Sequence, residues 1–132
     1  MQKAKSIALA LGAVCLCTLF AQAADLTCVG TKPFWKLEVT NSEISFEDGN
    51  KVSGFADLEL KAVKPRVAAG APPDAVRVYE TKTGGKRGTA MTIIVQKREE
   101  TKCSDNLSDP IYPYDAIVIT PRTVFMGCCK TK

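Results

Sequence analysis

Histidine is absent from this chain. Without it there is no Ser-His-Asp or Cys-His nucleophile system and no histidine-containing zinc site. No two cysteines stand in Cys-x-x-Cys spacing, so the usual zinc knuckle and the usual thiol-redox motif are both missing. Tryptophan occurs once, at Trp35, and no long basic run is present. The densest cationic stretch, from Lys82 to Gly88, is short and carries its own turn signal, Gly84-Gly85. Nucleic-acid binding therefore has no electrostatic footprint. Internal repeats and low-complexity segments are also missing, and no stretch beyond the N-terminus carries an amphipathic helical period.

What is present begins with an export signal. Lys3 and Lys5 form a basic start and Ile7 to Phe20 an apolar run. Ala21-Gln22-Ala23 supplies the small-x-small pattern that signal peptidase reads. The apolar run is too short for a comfortable membrane span. Cys15 and Cys17 follow Val14 and Leu16, not the small residues of a lipoprotein signal. Residues 1–23 are thus expected to be a signal peptide and residues 24–132 a single exported domain, periplasmic or secreted, with no stable membrane span. Loss of Lys3 and Lys5 brings the formal charge of +4 closer to neutral.

Cys15 and Cys17 leave with the signal, so Cys28, Cys103, Cys128 and Cys129 remain. An even number of cysteines in a small exported chain points to a disulfide framework. Neighbouring residues on a strand face opposite ways, and a Cys128–Cys129 bridge would strain the peptide between them. Each of the pair is expected to bridge to a different partner, Cys28 or Cys103, with either assignment open. A bridge from Cys28 closes about 100 residues and contributes up to roughly 4.7 kcal/mol in the chain-entropy model. One from Cys103 closes about 26 residues and contributes roughly 3 to 3.5 kcal/mol. These are large beside what a core of this size supplies.

The apolar pattern of the remaining chain has period two, which argues strands. Trp35, Leu37 and Val39 share a face, with Lys36, Glu38 and Thr40 on the other. Ile44 and Phe46 precede a turn at Asp48-Gly49-Asn50, after which a longer strand is expected to run past a bulge or bend at Gly54. The Pro/Ala/Gly-rich stretch at 62–76 reads as an irregular surface loop. Residues 76–98 give the strongest hairpin signal, two β-rich arms around the Gly-Gly-Lys-Arg-Gly tip. A last pair of strands flanks Pro121-Arg122. About seven or eight short antiparallel strands in one disulfide-stapled domain make an all-β barrel or sandwich. A barrel has the advantage of leaving no open edge.

Candidate chemistry is sparse. Asp105, Asp109 and Asp115 could serve as an acid–base pair of carboxylates, but Asp beside Ser and Pro more commonly caps turns. Asp105, Asn106, Ser108 and Asp109 offer oxygen ligands without the spacing of a calcium loop. No catalytic residue, metal or cofactor is therefore assigned. Trp35, in phase with Leu37 and Val39, is expected in the core. Tyr112 and Tyr114 straddle Pro113 in a turn-rich segment and are expected to be exposed, each with an apolar body and a polar tip.

Three motifs carry a resemblance. The first is Cys28-x-Gly30-Thr31-x-Pro33-Phe34-Trp35 and the last is Gly127-Cys128-Cys129. Between them stand Cys103-Ser104-Asp105, Ser108-Asp109 and Tyr112-Pro113-Tyr114. Together they resemble a family of uncharacterised bacterial exported or envelope proteins, which is found beside small-barrel modules such as lysozyme-inhibitor domains. Asn106 stands where members often have glycine, and residues 42–97 carry none of the motifs. The resemblance implies an envelope location, this domain extent and pairing of the four cysteines; it implies no activity.

The expected function is a non-catalytic binding module of unknown ligand, its partner an envelope protein or a cell-wall hydrolase. The candidate binding surface is Ser104, Asp105, Ser108, Asp109, Tyr112 and Tyr114, on a loop preorganised by a disulfide. The same residues could equally serve only to lock that loop. Two alternatives are an inhibitor of a hydrolase such as lysozyme, and a thiol-redox or copper-binding protein using Cys128 and Cys129. The charge balance gives no steering toward a cationic lysozyme. Lysozyme activity is accordingly expected to be unchanged by excess mature protein, and a dose-dependent slowing would put the inhibitor reading first.

Overall fold

Period-two alternation becomes strand almost wherever it occurs. The computed structural model describes residues 25–55, 57–99, 103–104 and 111–132, apart from the side chains of Ser104 and Ile111. The expected signal peptide lies outside them, and within the described residues one β-strand follows another. They are β1 (Leu26–Thr31), β2 (Phe34–Val39), β3 (Glu43–Asp48), β4 (Leu58–Lys61), β5 (Arg66–Val67) and β6 (Val76–Lys82). They continue as β7 (Ala90–Lys97), β8 (Cys103–Ser104), β9 (Ile111–Tyr112), β10 (Tyr114–Ile119) and β11 (Val124–Thr131). No helix occurs among the described residues.

Nine strands form one antiparallel sheet in the order β4-β3-β2-β1-β11-β10-β7-β6-β5, and β8 pairs with β9 in a separate ribbon. The first and last long strands therefore lie side by side in mid-sheet. The sheet curls into a half-barrel whose far end returns toward its start. There Leu60 bridges Thr83, and the Thr81 hydroxyl donates to the Lys61 carbonyl at 2.5 Å. This is the expected all-β, barrel-like, stapled fold, with more and shorter strands than the seven or eight read from the sequence. The seam between β4 and β6 is a single bridge and not a full ladder, so β4 and β5 remain sheet ends.

Two further expectations are corrected. The segment after Asp48 does not continue as a long strand. Lys51 and Gly54 both take positive φ, +54° and +78°, and hydrogen bonds from Lys51 N to Asp48 O and from Gly54 N to Lys51 O wind the chain back on itself. The Pro/Ala/Gly stretch is not wholly irregular, since Arg66 and Val67 add β5 to the edge of β6.

One face of the curled sheet makes the core: Leu26, Cys28, Trp35, Leu37, Ile44, Phe46, Ile93, Val95, Val118, Phe125 and Cys129 are all buried there. Fully burying one large apolar side chain contributes about 1.5 to 3 kcal/mol. Trp35, Phe46 and Phe125 form a triangle with ring centroids 5.3 to 6.2 Å apart, a range that favours tilted aromatic packing.

The indole of Trp35 lies over bare backbone. Trp35 stands opposite Gly30 in the β1–β2 register, and a Cβ at Gly30 would collide with the indole. A Cβ at Gly127 would strike both the indole and the Val29 carbonyl. The β1–β11 ladder ends at Val29–Cys128; beyond it the indole Nε1–H donates to the Met126 carbonyl at 3.2 Å.

Asp48 is the buried carboxylate of β3. Burial alone would raise its pKa, but hydrogen bonds outweigh that and hold it below its ordinary 3.8. The Ser53 hydroxyl donates at 2.6 Å and the Ser53 N–H at 2.7 Å.

Gly127→Ala should cost about 3 kcal/mol, because neither carbonyl nor indole can yield, whereas Gly84→Ala, with open space around it, should stay within about 0.5 kcal/mol. Equal urea midpoints for the two variants would refute the cradle. A second outcome concerns acid. Because the folded pKa of Asp48 lies below its unfolded value, its stabilisation is complete above the unfolded pKa and fades as pH falls through the folded one. Urea midpoints should drop on acidification below about pH 4, and Asp48→Asn should flatten that drop; an unchanged slope would remove Asp48 as its source.

Candidate functional site

The strand phase that sends Phe125 and Cys129 inward on β11 sends Met126 and Cys128 outward. Cys28 lies directly opposite Cys129 in the register and is bridged to it inside the core. Cys128 is bridged to Cys103 on the outer face. The two adjacent cysteines are thus two staples on opposite sides of one sheet, one across a sequence separation of 101 and the other of 25.

The outer face over β7, β10, β11 and β1 is built in rows by the antiparallel registers. Gln96, Asp115, Cys128 and Val29 make one row, and Ile94, Ile117 and Met126 the next. Ile119 and Val124 continue the apolar surface in a third. Met126 is 74% exposed and Val124 59%, each beside an isoleucine of β10, Ile117 and Ile119. A cavity of about 450 Å³ lies over the first two rows. Ile94, Ile117, Met126 and Val29 supply apolar lining, and the Cys103–Cys128 bridge lines it as well.

Polar groups border this apolar surface. Arg98 Nε pairs with Asp115 Oδ2, and the Arg98 N–H donates to the Pro113 carbonyl at 2.9 Å. Gln96 and Lys32 also line the cavity. Asp115 is therefore a strand residue engaged by a guanidinium, not a turn cap as its sequence neighbours suggested. A space of this volume, apolar with a few fixed polar groups, has the character of a ligand pocket. Among the described residues that line it, Asp115 is the carboxylate, and it is paired with Arg98.

The residues singled out in the sequence are scattered over the fold. Trp35, Cys28 and Cys129 are core. Cys103 and Cys128 border the groove, with Cys103 Sγ 3.4 Å from the Gly127 carbonyl. Ser104 belongs to β8, and Asp105, Ser108 and Asp109 lie outside the described residues. Tyr112 and Tyr114 correct the expectation of exposure, being 6% and 7% exposed. Tyr114 opens β10 in the inward phase of Ala116 and Val118, and the Arg77 guanidinium lies over its ring. Tyr112 pairs with Cys103 in the β8–β9 ribbon, with the Lys130 ammonium 5.7 Å from its ring centre.

The groove-lining Ile94, Ile117 and Met126 were not anticipated, although a signal existed. Ile93-Ile94-Val95 and Ala116-Ile117-Val118 are apolar on both strand faces, and a strand that is apolar on both faces has something to cover on each. Comparison with family models, with curated proteins and with solved structures finds no match to this chain.

Proposed function

We propose that this chain acts as an exported, non-catalytic binding module whose ligand enters the outer groove. Its export signal and two disulfides favour an oxidising compartment, periplasmic or secreted. No helix among the described residues is long and apolar enough to cross a membrane. The resemblance to an exported envelope family points the same way.

The observation that carries the reading is the row Ile94–Ile117–Met126, an apolar surface beside a disulfide on the outer side of an otherwise filled sheet. Its size suits an apolar side chain from an extended segment of an envelope protein, with Gln96 beside the flanking backbone. The disulfide limits movement of the Cys103 side before the ligand arrives, which reduces the ordering cost of binding. A thiol-redox or copper role would need thiolates, and Cys28, Cys103, Cys128 and Cys129 are all bridged in this form.

Methyl-resolved NMR against short peptides centred on Leu, Phe or Met tests the assignment. Shifts should cluster on the Ile94, Ile117 and Met126 methyls, and Met126→Glu should weaken binding about tenfold, the equivalent of one lost anchor. Peptides that bind while leaving those methyls and that variant's affinity unchanged would sink the groove as the binding site.

A further inference from the structure

The connections at one end of the sheet gather unpaired positive charge. Antiparallel order brings the links β1–β2 (32–33), β3–β4 (49–57), β6–β7 (83–89) and β10–β11 (120–123) to the same end. They also touch. The Phe34 N–H donates to Asn50 Oδ1 at 2.7 Å, and the Thr123 hydroxyl donates to the Val52 carbonyl at 3.4 Å. The Arg122 guanidinium lies beside Gly54, and the Leu60–Thr83 bridge sets the β6–β7 tip beside β4. Four loops remote in sequence thus make one surface.

Its charge is almost wholly of one sign. Lys32, Lys51, Lys86, Arg87 and Arg122 stand on these loops against one acidic residue, Asp57, and all five cations are exposed. None of the five enters an ion pair among the described residues. Asp48, which ends β3, is buried and bonded to Ser53, and Glu47 stands opposite Lys36 in the β2–β3 register. Near the other end of the sheet Lys97 is paired with Asp74 and Arg98 with Asp115. The Lys86-Arg87 tip is too short to be a basic stretch by itself; folding sets it beside the other three cations.

Apolar side chains stand among these charges. Phe34 and Val52 are each 49% exposed. Phe34 has the outward phase that is otherwise Lys36 and Glu38 on β2, and its ring lies over Gly49. Cations are drawn to anionic headgroups, and apolar side chains gain by entering the acyl boundary beneath; membrane binding scales with both. A nucleic acid would engage the cations, but its bases offer a valine no stacking partner. We propose that this end of the barrel docks peripherally on a bilayer surface rich in anionic phospholipid. Lys51, Lys86, Arg87 and Arg122 meet the lipid phosphates, and Phe34 and Val52 enter between the headgroups. This surface is separate from the outer groove and does not depend on it.

Co-sedimentation of the exported, disulfide-bonded protein with vesicles tests the surface. Vesicles of phosphatidylglycerol and phosphatidylcholine in equal parts should carry it down, and vesicles of phosphatidylcholine alone should not. Binding should weaken as sodium chloride is raised, because exposed charges are screened. Each cation near an anionic surface contributes about fivefold in affinity, so Lys86→Gln, Arg87→Gln and Arg122→Gln together should weaken binding about a hundredfold. Val52→Ser should weaken it about fivefold, the equivalent of part of a valine's burial. Should either variant fail to fold, the lipid and salt dependence of the native protein decide. No sedimentation with the anionic vesicles, or an affinity unchanged in the triple variant or in Val52→Ser, would overturn the proposal. So would tighter binding to a single-stranded oligonucleotide than to those vesicles.

Discussion

The rest of this structure depends on a tryptophan ring lying against backbone that has no side chains to keep it away. Trp35 reaches from β2 across β1 to β11, over Gly30 and up to Gly127, and its N–H takes the Met126 carbonyl. An indole there fills the volume two side chains would otherwise occupy and supplies a hydrogen bond where the β1–β11 ladder stops. Phe46 and Phe125 then pack against it and against each other. The first two strands and the last are fixed relative to one another by this contact.

The cysteines act on the same seam. β1 and β11 pair through only four residue positions, a short ladder for the junction between the two ends of the chain. The Cys28–Cys129 bridge crosses that ladder from the inside, and the chain it closes includes almost every other strand. Its stabilisation in the chain-entropy model is correspondingly large. Cys103–Cys128 works on the opposite side, where the β8–β9 ribbon has a single short ladder of its own. Adjacent positions on one strand thus reach two separate problems because side-chain direction alternates.

Much of this was legible in the sequence. Alternation around Trp35, Leu37 and Val39, the Gly-Gly hairpin and the split destination of Cys128 and Cys129 all follow from local rules, and the structure has them. The misreadings have a common cause: they concern residues whose role is decided by strands distant in sequence. Tyr114 looked like a loop aromatic because Pro113 precedes it, yet the inward phase of Ala116 and Val118 extends back to it. Gly54 looked like a bulge, but no partner strand exists there to be bulged against. Gly30 and Gly127 stand out in the sequence only as members of motifs, since nothing local says which aromatic will lie on them. The groove was missed because its floor is assembled sideways, one residue from each of β7, β10 and β11.

Where this protein can hold a ligand follows from how its interior is used. A small barrel of about eight strands encloses little more than the side chains that fill it. Here that space is taken by Trp35, Phe46, Phe125, Tyr79 and the Cys28–Cys129 bridge, so no large ligand can sit within the sheet. The outer face remains, where β7, β10 and β11 continue to carry apolar residues after the core is complete. Ile94, Ile117 and Met126 face outward there, and they are residues whose presence a purely structural role explains least.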